Sequence, residues 1–261
     1  MKVILIGAGR LAHQLGRALL EAGHDIVQVY SRTMKAAAEV ASLCGGSPTT
    51  SLGDMRNDAD AYIVALKDSA LPELIPQICK GREQSVFLHT AGSLPMDIFK
   101  GMALHYGVLY PLQTFSMERE VDFSSIPCLV EASDDYAAST VVELAGSISG
   151  NVWPMSSADR KQVHLAAIFA CNFANHCYAL AADILEKRGI PFDIMLPLID
   201  ETASKVHTMT PAEAQTGPAM RYDENVIRSQ SRALAYDPLA KEIYERMSIS
   251  IHRKATRNDK L

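Results

Sequence analysis

With 261 residues, 48% of them hydrophobic and 21% charged, the chain has the composition of a globular protein and the length for two compact domains. A net charge of −5 with no basic stripe argues against a nucleic-acid partner. No run reaches the ~18 apolar residues of a membrane span. The five cysteines (Cys44, Cys79, Cys128, Cys171 and Cys177) show neither C-x-x-C nor metal-ligand spacing. They read as mostly buried, reduced thiols of a cytoplasmic protein without a metal site.

The chain opens on an apolar strand at 2–6, followed by Gly7-Ala8-Gly9-Arg10-Leu11-Ala12. This stretch lacks a cleavage pattern, so a strand is expected rather than a signal peptide. The turn has the form G-x-G-x-x-A, a dinucleotide fingerprint. Gly7 permits the tight turn and Gly9 lets backbone approach a pyrophosphate. Ala12 allows the helix at 10–22 to pack close to the strand. That helix begins with free N–H groups and a positive dipole end, which attract phosphate. Gly23 ends it, and a second strand at 26–30 leads into Ser31-Arg32. An NAD site places an acidic residue there. Ser31 and Arg32 instead suit the 2′-phosphate of NADP, through a hydroxyl bond and a bidentate guanidinium. Thr33 or Ser31 can also cap the following helix.

Further strands are expected at 61–66, 85–89, 104–110, 127–131 and 150–153, and helices at 34–43, 69–79, 95–101 and 135–148. This alternation gives a mainly parallel, doubly wound α/β Rossmann domain over residues 1–154. Ligands bind beyond the carboxyl ends of such strands. Ala65, Leu66 and Lys67 are therefore expected beside the cofactor. The loops carrying His89 and Pro111 with Gln113 are expected at the substrate.

Past residue 154 the pattern is helical, giving an all-α domain over 155–261. Ser156-Ser157-Ala158-Asp159 resembles a capping box. The helix it opens runs to Arg188, about 48 Å at 1.5 Å per residue, and stops at Gly189-Ile190-Pro191. Thr210-Pro211-Ala212-Glu213 and Asp237-Pro238 open further helices. The basic stretch after His252 reads as a frayed end.

On the long helix, Lys161, His164, Asn172 and Asn175 fall within a sector of about 80° at 100° per residue. A polar stripe on an apolar helix needs partners. A His or Lys there can protonate a group that gains charge as hydride arrives, and Asn172 can orient it. The bland alternatives are a satisfied structural histidine and a solvated lysine. Arg221, in Gly217-Pro218-Ala219-Met220-Arg221-Tyr222-Asp223, can bind a substrate carboxylate or pair with Asp223.

Gly7-Ala-Gly9-Arg10-Leu11, His89-Thr90-Ala91-Gly92, Pro111-Leu112-Gln113-Thr114-Phe115, His164-Leu-Ala-Ala with Asn172-Phe-Ala-Asn175, and Gly217-Pro218-Ala219-x-Arg221-x-Asp223 carry a resemblance across the chain. It is similar to Rossmann-like NADP oxidoreductases, related to the deazaflavin-dependent type, with a helical C-terminal domain of unknown function. It more distantly resembles pyrroline-carboxylate reductase, ketopantoate reductase and β-hydroxyacid dehydrogenases. The resemblance implies NADPH-dependent reduction of C=O or C=N, or the reverse, and a homodimer formed through the helical domain. One feature departs from it. The last two families pair a Lys with an Asn four residues on, whereas Lys161 is followed at that distance by Leu165. His164 is therefore the expected polar group. The alternative is an NADP(H)-binding sensor or interaction protein without turnover.

Overall fold

The computed structural model describes residues 1–117 and 119–258. The chain forms two compact units, residues 1–172 and 173 onward. The first unit contains β1 (Lys2–Ile6), α1 (Arg10–Glu21), β2 (Asp25–Tyr30), α2 (Met34–Cys44), β3 (Ser47–Thr49), β4 (Ala61–Val64) and α3 (Leu71–Cys79). It continues through β5 (Val86–His89), β6 (His105–Pro111), β7 (Cys128–Ala132), α4 (Asp135–Ile148), β8 (Val152–Pro154) and α5 (Ser157–Ala167).

Among the described residues the sheet has eight strands in the order β3-β2-β1-β4-β5-β6-β7-β8. Strands β1 to β6 run parallel, and β7 pairs antiparallel with β6. Side chains alternate between the two faces, as the period of two requires. Val3, Leu5, Ile63 and Leu88 pack with Leu15, Leu19, Val40, Val141 and Leu144, under α1, α2 and α4. Ile4, Ile6, Tyr62, Val64 and Phe87 pack with Leu71, Ile75 and Phe99 on the other face. Covering both faces explains why the strands read as continuous apolar runs.

Local signals place the helices. Thr33 caps α2 by accepting from the Ala36 N–H, and Asp134 caps α4 by accepting from Tyr136 and Ala137. Ser156 accepts from the Asp159 N–H at 3.1 Å, so the expected capping box opens α5.

The expected strand at 61–66 is shorter, and the expected helix at 95–101 is a 3₁₀ turn over Met96–Phe99. Strand β3 was not foreseen. It is three residues long with Pro48 in the middle, which only a sheet edge tolerates. The helix expected at Thr210 is also absent. The Thr210–Glu213 capping bonds form, but one turn follows before Gly217 and Pro218 end it.

The long helix runs from Ser157 to Glu186, about 45 Å over its 30 residues. It is α-helical to Ala167, π-helical over Ile168–Phe173, and α-helical again in α6 (Ala174–Glu186). An i→i+5 turn takes up an extra residue, which rotates later positions by about 100°. That exceeds the width of the expected polar stripe, so an 80° sector counted at 100° per residue does not hold across the segment.

This helix also has the length and composition to cross a membrane, with a mean hydropathy of 1.3 in its most apolar window. The helix meets that criterion as a window average, although no contiguous run of ~18 apolar residues occurs in it. Asn172, Asn175 and His176 interrupt the apolar run within that window without lowering its average below the criterion.

The second unit continues with α7 (Leu196–Lys205), α8 (Pro218–Arg221), α9 (Glu224–Ala233) and α10 (Pro238–Asn258). Asp237 caps α10 through the Ala240 N–H, as expected. Residues 252–258 are helical rather than frayed, because α10 continues through them; Asp259 and Lys260 of that stretch lie outside the described residues. Neither α6 nor α7 has a buried residue, and Ile194, Leu198 and Leu239 are 66%, 58% and 67% exposed. The five cysteines are free, but only Cys44, Cys79 and Cys128 are buried. Burial pushes the Cys79 thiol up to about 12 and the Cys128 thiol up to about 11, so both are inert. Cys171 is exposed and Cys177 half-buried, because the helix that carries them has little covering it in this chain.

Candidate functional site

The parallel run β2-β1-β4-β5-β6 lines up the carboxyl ends of its strands along one edge of the sheet. The fingerprint turn sits at the second of these. Gly7 has φ +123, which L side chains rarely adopt, and a Cβ there would lie 2.2 Å from the Ala65 carbonyl oxygen. The turn after β1 therefore packs directly on the turn after β4, and glycine is required. A Cβ at Gly9 would meet nothing within 4 Å. Gly9 is the N-cap of α1 and supplies no side-chain bond to it. The first-turn N–H groups are left to a ligand, in open space beside Ala8, Arg10 and Leu11. The turn fits a dinucleotide pyrophosphate.

At the end of β2, the Ser31 N–H donates to the Thr49 carbonyl at 3.1 Å, so β3 fixes the position of the serine. Arg32, Thr33 and Lys35 follow as exposed residues, with no acid before Glu39. This chemistry suits a phosphate and would leave a bare ribose diol without its usual carboxylate. Leu66 is half-buried and Lys67 exposed at the end of β4, beside the fingerprint.

Two residues expected to face the substrate do not. His89 is fully buried. Its Nδ1 accepts from the Ala91 N–H at 3.1 Å, and its Nε2 donates to the Pro95 carbonyl at 3.3 Å. Burial, followed by the nearby Arg160 guanidinium, pushes its pKa down to about 4. A neutral ring with both nitrogens engaged shapes the loop after β5 and has no atom left for a ligand. Pro111 is buried within β6, paired with Cys128 of β7. Gln113 is exposed, but its amide oxygen accepts from the Thr114 N–H at 2.8 Å. In both loops a nearby residue meets the site instead. Gly92 lies three residues after His89, and Tyr110 lies one residue before Pro111.

These two meet His164. The Tyr110 hydroxyl and His164 Nδ1 are 2.9 Å apart, with the rings edge to face and their centroids separated by 5.9 Å. A Cβ on Gly92 would lie 2.6 Å from the same Nδ1, so glycine is what admits the ring. Among the described residues, none takes a hydrogen bond with Nε2.

The ends of β5 and β6 thus hold one face of α5. The first turns of α5 are anchored as well. Arg160, fully buried, donates to the Glu131 carboxylate and to the Leu94 carbonyl at 2.6 Å. Ser157 donates to Glu131 at 2.7 Å and accepts from the Met96 N–H at 3.0 Å. His164 follows Arg160 by one turn on the same face.

Asn172 lies in the π-helical segment and is exposed, as is Lys161 on α5. Asn175 and Arg221 are exposed residues of the second unit. Asp223 spends its carboxylate on capping α9 through the Val226 N–H.

The sequence reading picked out Pro111 and Gln113 in this loop and gave Tyr110 no role of its own. It noticed the Gly92 loop but not its role. One signal was present: Gly92 is a glycine without a positive φ, so no turn requires it.

Residues 2–90 match the family described as NADP oxidoreductase, coenzyme F420-dependent, and residues 126–251 match a domain of unknown function. None of the curated proteins matches the chain in sequence. A solved structure from Bacteroides fragilis, described as a candidate NADP oxidoreductase, is 52% identical; the match covers 97% of this chain and 98% of that one, with a TM-score of 0.93. An imine reductase from Myxococcus stipitatus in complex with NADP+ is 16% identical, covering 99% and 95%, at a TM-score of 0.66. A 1-pyrroline-5-carboxylate reductase from Streptococcus pyogenes is 14% identical, covering 97% and 98%, at 0.62. The last two share the fold. The chain belongs to the family of the Bacteroides fragilis protein, NADP oxidoreductases in which a Rossmann domain of the coenzyme F420-dependent type is joined to a helical domain of unknown function.

Proposed function

We propose that this oxidoreductase reduces the C=O or C=N bond of a small polar substrate with NADPH, or runs that reaction backwards, and that His164 handles the proton. The carrying observation is the His164 ring itself. It is clamped by Tyr110 and Gly92 at the strand edge that bears the fingerprint, with Nε2 uncommitted. NADPH supplies the hydride. The Gly7–Leu11 turn takes its pyrophosphate, and Ser31 and Arg32 take the 2′-phosphate. Ala65, Leu66 and Lys67 border the cofactor.

His164 Nε2 gives a proton to the oxygen or nitrogen as charge develops there. Asn172 donates a hydrogen bond to the substrate, and Lys161 adds positive charge one turn before His164. Arg221 and Asn175 are held as further substrate contacts. We also read the protein as a cytoplasmic homodimer. Its free thiols support the first reading, and the bare apolar side chains of the helical unit support the second, since soluble monomers rarely expose so many.

The test is NADPH oxidation, followed by absorbance, across α-keto acids, cyclic imines and a deazaflavin, with NADPH binding followed by fluorescence. Turnover of a keto or imine compound is expected. Tight NADPH binding with no consumption of any of them would favour a sensor instead. Light scattering on the eluted protein measures the dimer, and a monomer mass would remove it.

A further inference from the structure

We propose that Tyr110 is the positioning residue of this site, its hydroxyl holding His164 by Nδ1 so that Nε2 is the nitrogen presented to the reacting group. The proposal rests on the reading of His164 as the proton donor, and it assigns a role to a residue that the sequence did not single out.

Three elements converge on one ring. α5 carries His164, the loop after β5 brings Gly92 against it, and β6 delivers the Tyr110 hydroxyl. The T-shaped arrangement, with 75° between the ring planes, leaves the hydroxyl in reach of Nδ1. Burial raises the Tyr110 pKa above its ordinary value, and the Asp68 carboxylate adds to the rise. The side chain is therefore a neutral phenol throughout the physiological range. The other charged or titratable groups around it are Arg160 and Cys171. Asp68 is itself tied to the Ser93 hydroxyl.

A phenol oxygen both accepts and donates. It accepts from Nδ1–H when His164 is an imidazolium. It can also donate to a bare Nδ1 in the neutral ring. The clamp therefore survives proton transfer. In the reductive direction the carbon of C=O or C=N gains the hydride. The π-bond electron pair moves to the oxygen or nitrogen, which takes the proton from Nε2–H. His164 is left as a neutral imidazole that keeps its Nδ1–H on Tyr110. Protons and electrons balance without a further reactant.

A phenylalanine at 110 keeps the packing and removes only the clamp. With nothing on Nδ1, the ring loses its fixed orientation and its Nδ1 its hydrogen-bond partner.

The experiment compares wild-type protein with Tyr110→Phe by NMR of ¹⁵N-histidine-labelled samples, with His164→Gln used to assign the resonance. Both samples are titrated with NADPH by fluorescence, and a Kd within twofold shows that the variant is folded. The expected result is a change in the His164 ring nitrogen shifts in Tyr110→Phe. Identical ring nitrogen shifts in the folded variant would overturn the proposal. A compound turned over by the wild type gives the second readout. Tyr110→Phe is expected to lower kcat about tenfold, with KM for that compound within threefold, and an unchanged kcat would likewise overturn it. If no compound is turned over, the His164 reading fails on its own, and the NMR comparison still judges the clamp.

Discussion

Replacing Gly92 by alanine tests whether the close approach of His164 to the loop after β5 sets the rate. The new Cβ would lie 2.6 Å from Nδ1, 2.7 Å from Cγ and 3.0 Å from Cβ of His164. Carbon contacts relax at about 3.5 Å or more, so the ring must retreat by roughly 1 Å. Gly92 does not have a positive φ, so backbone strain adds nothing. A retreat of that size disturbs the 2.9 Å contact between Nδ1 and the Tyr110 hydroxyl and moves Nε2 from its place. A displacement of about 1 Å at a reacting group costs on the order of 100-fold in rate, or about 2.7 kcal/mol. The fingerprint turn is untouched. Steady-state NADPH oxidation with a compound that the wild type reduces should therefore show kcat lowered about 100-fold in Gly92→Ala, with Kd for NADPH within twofold. Turnover within threefold of wild type would refute the reasoning, because the ring could then move 1 Å without consequence.

His89 gives the protein an acid limb. Its folded pKa is depressed to about 4, so between about pH 6.5 and 4 the unfolded chain binds a proton that the folded chain refuses. Stability is full above that window and falls as pH drops through it, by about 3 kcal/mol in all. In urea unfolding, the advantage of wild type over His89→Gln should shrink by about 2–3 kcal/mol between pH 7 and pH 4.5; a constant gap would contradict this. Arg160→Met should cost roughly 3 kcal/mol in the same assay, because it strips the Glu131 carboxylate of its buried partner; a loss below about 1 kcal/mol would show that the pair does not anchor α5. Arg32→Ala should weaken NADPH about 10-fold or more while leaving NADH nearly unchanged, given a charge-assisted phosphate contact of about 1.5–3 kcal/mol; equal losses for both would remove Arg32 from the 2′-phosphate.

The doubly wound order was legible because the central parallel strands β1, β4 and β5 are buried on both faces and the helices between them carry a cap or stop. The strand β3 was not, since Ser47-Pro48-Thr49 contains no apolar run and exists by pairing with β2. The π-helical segment was equally hidden: Ile168-Phe-Ala-Cys-Asn-Phe contains no Gly or Pro to announce a change of pitch. At the site, the fingerprint, Ser31-Arg32 and His164 stood out because their chemistry is unusual for their place in the pattern. His89 misled for the opposite reason. It closes a strand whose four residues are all buried, so its ring belongs to the core, although its chemistry resembles that of a ligand-facing histidine. Tyr110 was invisible because its partner lies 54 residues away on another element.

The most direct measurement is the turnover of His164→Ala on a keto or imine compound that the wild type reduces with NADPH, read together with its NADPH Kd. A general acid contributes on the order of 100-fold or more. The expected result is a kcat lowered by at least ~100-fold with the NADPH Kd within twofold, since the cofactor turn is formed by other residues. Wild-type turnover in the His164→Ala protein would contradict the assignment of the proton to this ring.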